Sequence, residues 1–150
     1  MTGVPAGGTA LTELTIKASA ARIFRALTDP AELPLWWGEE AMYHCTHMER
    51  DLRVGGSYQV SGTLSNGQPF AVSGKYQEID PPRVLAYTWN YDWDKGVATT
   101  LVRFELIERG EETLVRVTHS GFTAEAARAD HEKGWVGVLG WLRGYVERPE

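Results

Sequence analysis

A single cysteine, Cys45, has no partner for an intramolecular disulfide, so nothing in the fold is expected to depend on an oxidising compartment. No apolar run approaches the roughly 20 residues that span a bilayer, and membrane insertion is not expected. Basic residues are not in excess: 15 Lys and Arg stand against 20 Asp and Glu, giving a net charge of −5. That balance lacks the electrostatic footprint of a nucleic-acid binder. Residues 1–10 contain no basic stretch followed by an apolar core, so no secretory leader is expected and the default compartment is the cytoplasm. Internal repeats, low-complexity tracts, nucleophile elbows, phosphate loops and dinucleotide fingerprints are all missing. What the chain does have is aromatics, with six Trp, six Tyr and four Phe in 150 residues of otherwise ordinary, 43% hydrophobic composition. Length and balance describe one globular domain. So many rings either fill its core or line a pocket.

Residues 1–10, rich in Gly, Ala and Thr, read as a flexible arm ahead of a single domain over 11–150. From Leu11 to Lys17 apolar and polar residues alternate as in a half-buried strand. Ser19 offers an N-cap for a helix over Ala20–Leu27, whose Ile23, Phe24 and Leu27 share a face. Asp29-Pro30 stops it. A second short helix is expected over Ala31–Trp36, ending at Gly38. Strands follow at Met42–Arg50, Tyr58–Leu64, Phe70–Ile79, Val84–Asn90, Thr99–Ile107 and Thr113–His119. Their punctuation is Gly55-Gly56, Asn66-Gly67, Asp80-Pro81-Pro82, a loop carrying Asp92, Asp94, Lys95 and Gly96, and Arg109-Gly110-Glu111. Short turns between successive strands predict an antiparallel meander. Thr123 then caps a long helix to about Val146, with Ala127, His131, Gly134, Trp135, Val138, Trp141, Leu142 and Tyr145 on its inner face. The expected class is α+β: a curved antiparallel sheet of about seven strands wrapped on a long C-terminal helix.

Candidate chemistry is sparse. Leu85, Tyr87, Trp89 and Tyr91 fall on one side of a strand by period two, and their polar tips need partners if buried. Of Trp36 and Trp37, adjacent on a helix, the second is the better candidate for a cavity wall. His119 shares the inward parity of Val115 and Val117, and His131 lies on the inner helix face. With Tyr76, these are the only acid–base groups the pattern brings near a pocket, and each also has a purely structural reading. His44-Cys45-Thr46-His47 puts Cys45 and His47 on one face of a strand, two ligands where zinc needs three or four, so no metal is expected. Asp51-Leu52-Arg53-Val54-Gly55-Gly56 is a turn with an Asp51–Arg53 pair, and Asp80-Pro81-Pro82-Arg83 a rigid corner.

Several of these segments, in order, carry a family resemblance. Ala26-Leu27-Thr28-Asp29-Pro30 with Leu33 and Trp36-Trp37-Gly38, then Asp51–Gly56, Asp80–Arg83, Tyr87-Thr88-Trp89, His119-Ser120-Gly121-Phe122, and His131 with Gly134-Trp135, resemble the activator of heat-shock-chaperone ATPase homologues. That family sits in the helix-grip superfamily with START lipid-transfer domains, birch-pollen allergens and polyketide cyclases. The resemblance covers about Leu14 to Val146 and implies the order β-α-α-β6-α. The leading functional expectation is a protein that takes a small apolar or aromatic ligand between sheet and last helix. Its candidate contacts are Trp37, Tyr76, Tyr87, Trp89, Tyr91, Phe104, His119, His131, Gly134, Trp135, Val138 and Trp141, with no cofactor. One alternative is a cyclase- or hydrolase-like enzyme using His119, His131 or Tyr76. The other is a chaperone-interaction module, although related eukaryotic proteins make much of that contact through a second domain for which 150 residues leave no room. A homodimer is left open.

Overall fold

Alternating strands with one apolar face each cannot stay in water, and the chain buries those faces by curling one sheet around a helix. The computed structural model describes residues 8–39, 42–91 and 99–148. In chain order the elements are β1 (Gly8–Ile16), α1 (Ala20–Thr28), α2 (Leu33–Trp36), β2 (Gly38–Glu39), β3 (Tyr43–Arg50), β4 (Ser57–Leu64), β5 (Pro69–Asp80), β6 (Val84–Tyr91), β7 (Thr100–Arg109), β8 (Glu112–Phe122) and α3 (Glu125–Val146). The described strands form one antiparallel sheet of eight in the order β1-β8-β7-β6-β5-β4-β3-β2. The strand beyond the expected seven is β2, two residues paired to β3 where Gly38, at φ +123°, redirects the chain out of α2. Gly8 to Ala10 belong to β1 and pair with β8, so the sheet begins earlier than the alternation indicates. Residues 1–7 of the expected arm and the Asp92–Gly96 loop lie outside the described residues.

The convex face is tied by ion pairs running strand to strand, Glu13–Arg116–Glu105–Arg103–Glu78, which marks it as the solvent side. Two departures from simple alternation shape the concave side. In β3 the pairing steps from Cys45↔Gly62 to His47↔Ser61, leaving Thr46 as an extra residue. This bulge buries Cys45 and Met48 and turns His47 outward to pair with Glu49, correcting the expectation that Cys45 and His47 share a face. In β5, Gly74 faces the backbone of Thr88 so closely that a Cβ there would collide with its carbonyl oxygen. The missing side chain lets the Tyr58 hydroxyl donate to that carbonyl at 2.6 Å.

The long helix starts later than expected. β8 runs on to Phe122, so Thr123 is spent in the turn and Ala124 occupies the N-cap with no side-chain cap. Glu125 instead grips Arg128 through both oxygens, and Arg128 also reaches Glu132 at 2.9 Å, stiffening the first turns. The other end is clamped. Glu32, beside α2, accepts from the Tyr145 hydroxyl at 2.8 Å and from Arg22 and Arg25 of α1 at 2.7 and 2.8 Å. Leu139, Leu142 and Val146 are buried in this C-terminal half, whereas Ala124 and Ala126 at the opposite end are exposed. The helix is thus held at one end and stands off the sheet at the other. No helix among the described residues is long and apolar enough to cross a membrane.

Candidate functional site: a cavity between sheet and helix

Where α3 stands off, a cavity of about 650 Å³ remains. Its sheet wall is Tyr58, Val60 and Leu64 of β4, Phe70, Val72 and Tyr76 of β5, and Leu85, Tyr87, Trp89 and Tyr91 of β6. Leu27 and Leu33 with Trp37 close one end, Tyr43, Cys45 and Met48 flank it, and α3 adds Ala126, Ala127, Asp130, His131, Gly134, Trp135 and Val138. Small residues on the helix side keep the space open. At Gly134 a Cβ would meet nothing within 4 Å, so the sheet does not approach there. Asp130 is the only acidic or basic side chain besides His131 among these lining residues, and no Lys or Arg is among the described ones.

Nine of the twelve residues assigned to ligand contact from sequence line this cavity: Trp37, Tyr76, Tyr87, Trp89, Tyr91, His131, Gly134, Trp135 and Val138. The other three do not. Phe104 sits behind the wall, fully buried, 6.3 Å from the Tyr87 ring and 5.6 Å from Trp135. Trp141 is half-buried and packs edge-on against Tyr43 at 5.6 Å. His119 is fully buried in a second layer, as described next. The two adjacent indoles stack on each other at 5.2 Å, yet only Trp37 lines the cavity. Trp37 faces the cavity with its N–H on the Tyr43 hydroxyl at 3.2 Å, while Trp36 donates to the Ala26 carbonyl at 3.0 Å and packs on α1. Tyr58, Val60, Phe70 and Val72 line the cavity without being among the sequence candidates, although the alternations Tyr58-Val60-Gly62-Leu64 and Phe70-Val72-Gly74-Tyr76 carry the same period-two signal as β6.

The imidazoles differ sharply in setting. His119 Nδ1 accepts from the Trp135 indole N–H at 3.0 Å. Because an indole only donates, the neutral ring carries its proton on Nε2, which faces Thr100 Oγ1 at 2.7 Å. The Thr100 hydroxyl then donates to the Trp89 carbonyl at 3.4 Å, completing a chain from the Trp135 indole to the β6 backbone. Burial, and then the neighbouring His131, lower the His119 pKa from its usual 6.5 to about 3. This ring is a neutral structural tie. His131 Nδ1 donates to the Ala127 carbonyl at 2.8 Å, and its ring stacks on Tyr91 at 5.7 Å, leaving Nε2 without a hydrogen-bond partner among the described residues. No group of three His, Cys, Asp or Glu side chains among the described residues is arranged to hold a metal ion. Burial pushes the Cys45 thiol up to about 12, so it should resist a disulfide reagent at pH 8 in the folded protein and react promptly in denaturant. Rapid labelling of the native protein at pH 8 would contradict the buried placement.

A curled antiparallel sheet holding one long helix across its concave face is the helix-grip architecture of the SRPBCC superfamily. Residues 17–147 match the family model described as Activator of Hsp90 ATPase homolog 1-like protein, and the chain belongs to that family. A crystal structure from Chromobacterium violaceum superposes with a TM-score of 0.84 at 26% identity, covering 95% of this chain and 99% of that one. An AHSA1-like protein from Aeromonas hydrophila gives 0.77 at 23% identity, with 93% of this chain and 92% of that one covered. CalU16 from Micromonospora echinospora gives 0.70 at 24% identity, with 93% and 76% covered. The last two likenesses concern the fold alone. No protein of curated function matches the chain.

Proposed function

We propose that this protein binds a small, largely apolar, ring-containing molecule in the cavity between β4–β6 and the N-terminal half of α3. One observation carries the reading: about 650 Å³ stays open in a wall built mainly of apolar and aromatic side chains, in the size range of small-molecule sites. An aromatic set that merely filled a core would leave no such space. Family membership is common to all three readings raised by the sequence, and the cavity is what supports the ligand-binding one. Of the acid–base candidates, His119 does not touch the cavity and is engaged at both nitrogens, which leaves His131 and Tyr76. No carboxylate among the described residues is hydrogen-bonded to either. Binding therefore fits the geometry better than turnover does.

A thermal-shift panel of uncharged bicyclic aromatics tests this. A ligand present at 100 times its Kd stabilises the folded state by about 2.7 kcal/mol, which for a chain of this size raises Tm by about 5–10 °C. The account predicts such a rise for at least one member of the panel, and no rise for any member would contradict it.

A further inference from the structure

The wall of the cavity is not uniformly apolar. Tyr76 and Tyr87 are register partners across β5 and β6, so their side chains leave the sheet side by side on the concave face. Their rings stand at 81° with centroids 6.3 Å apart, and both pack on Tyr58, at 5.6 and 5.0 Å. The Tyr58 hydroxyl is committed to the Thr88 carbonyl. The other two have no hydrogen-bond partner among the described residues, and neither is one of the sealed, unpartnered polar atoms, which are Thr12 Oγ1 and Trp89 Nε1. Two donors held by ring packing, open to the cavity and unused by the protein, make a receptor for an oxygen acceptor on a ligand. The charge balance of the wall limits what that acceptor can be. With no Lys or Arg among the described lining residues, Asp130 as the acidic side chain there, and Arg50, whose charge reaches Tyr76 from outside the lining, held on the Thr28 carbonyl at 2.8 Å, an anionic ligand would lose its hydration without gaining a direct ion pair.

We propose that Tyr76 and Tyr87 form a donor pair for the carbonyl-type oxygen of an uncharged aromatic ligand, and that the cavity selects such molecules over the corresponding carboxylates. The inference rests on the cavity being a ligand site, and goes beyond it by naming the polar handle and the excluded charge. Burial holds the Tyr76 phenol up to about 12 and the Tyr87 phenol well above its usual value, so both remain protonated donors at any physiological pH.

Three probes of similar shape separate the outcomes: acetylnaphthalene, an uncharged aryl ketone; ethylnaphthalene, which lacks the oxygen; and naphthoate, the carboxylate. Each is titrated into wild-type protein, Tyr76→Phe and Tyr87→Phe, with the melting curve of each variant as a fold check. The proposal predicts that naphthoate binds at least about tenfold more weakly than the ketone. Each Tyr→Phe change should weaken ketone binding by about 3- to 10-fold while leaving ethylnaphthalene binding unchanged. Ketone affinity unaltered in both variants, equal losses for ketone and hydrocarbon, or naphthoate binding as well as the ketone would each overturn the donor pair while leaving the cavity a ligand site. If none of the three probes binds wild-type protein, the ligand-site reading falls and takes the donor pair with it.

Discussion

Between pH 6.5 and about 3 the folded state is expected to lose about 1.4 kcal/mol of stability per pH unit through one residue, His119. In the unfolded chain this imidazole takes up a proton near 6.5, whereas in the fold burial, and then His131, hold it neutral down to about 3. Above pH 6.5 it is neutral in both states and its contribution is fully present. As the pH falls below 6.5 the unfolded state binds the proton and the folded state does not, so stability drains away until the folded ring itself protonates. The total is about 5 kcal/mol, comparable with the whole stability of a marginal domain. His119→Gln removes the titration, and its stability should lack this slope across the same window. At pH 7 the variant should be less stable by about 1–3 kcal/mol, because the Trp135 indole N–H loses its fitted acceptor. Denaturant melts of both proteins at several pH values read the difference, and parallel pH profiles would show that His119 is not the buried neutral ring described here.

Gly134→Leu should weaken ligand binding at least about tenfold without weakening the fold. An interior helical glycine costs about 1 kcal/mol relative to alanine, and leucine is nearly as good a helix former as alanine. The added Cβ meets no atom within 4 Å, and the cavity that Gly134 lines has room for the rest of the side chain, so overpacking is not expected to offset that gain. Tm should therefore hold or rise by a few degrees, while the side chain occupies the helix wall of the cavity and lowers affinity for a naphthalene probe at least about tenfold. A fall in Tm would place the sheet against α3 at this point, and undiminished affinity would place the ligand elsewhere.

Much of this arrangement was legible in the sequence where a single periodicity decides the outcome. Leu85, Tyr87, Trp89 and Tyr91 share a strand face whatever surrounds them, and all four line the cavity. The helical period likewise set Trp135 and Val138 on the inner face of α3, while Leu139, buried against the clamped end, was left off it. Period gives a face and not a depth. Phe104 and His119 have the inward parity of cavity residues, yet they form a second layer, because Tyr87, Trp89 and Trp135 are large enough to cover them. A bulge erases parity altogether. The outward turn of His47 depends on the extra residue Thr46 and on the missing side chain of Gly62, where a Cβ would run into the His44 carbonyl, and this pairing across strands leaves no trace in the local pattern. The openness of the cavity was the least legible feature. It arises from a clamp at one end of α3, built by Glu32, Arg22, Arg25 and Tyr145, and from alanines at the other. Glu32 and Tyr145 alone lie 113 positions apart in the chain.

The indole N–H groups supply the most direct test, because their proton–nitrogen signals can be followed individually while acetylnaphthalene is titrated into the protein. Trp37, Trp89 and Trp135 line the cavity, whereas Trp36, stacked on Trp37 at 5.2 Å, does not line it and keeps its N–H on the Ala26 carbonyl. A ligand between sheet and helix should shift the first three signals together, saturably and with one affinity, and move Trp36, one ring further from the cavity, less than Trp37. Signals at Trp37, Trp89 and Trp135 that stay fixed throughout the titration would contradict the cavity as the binding site.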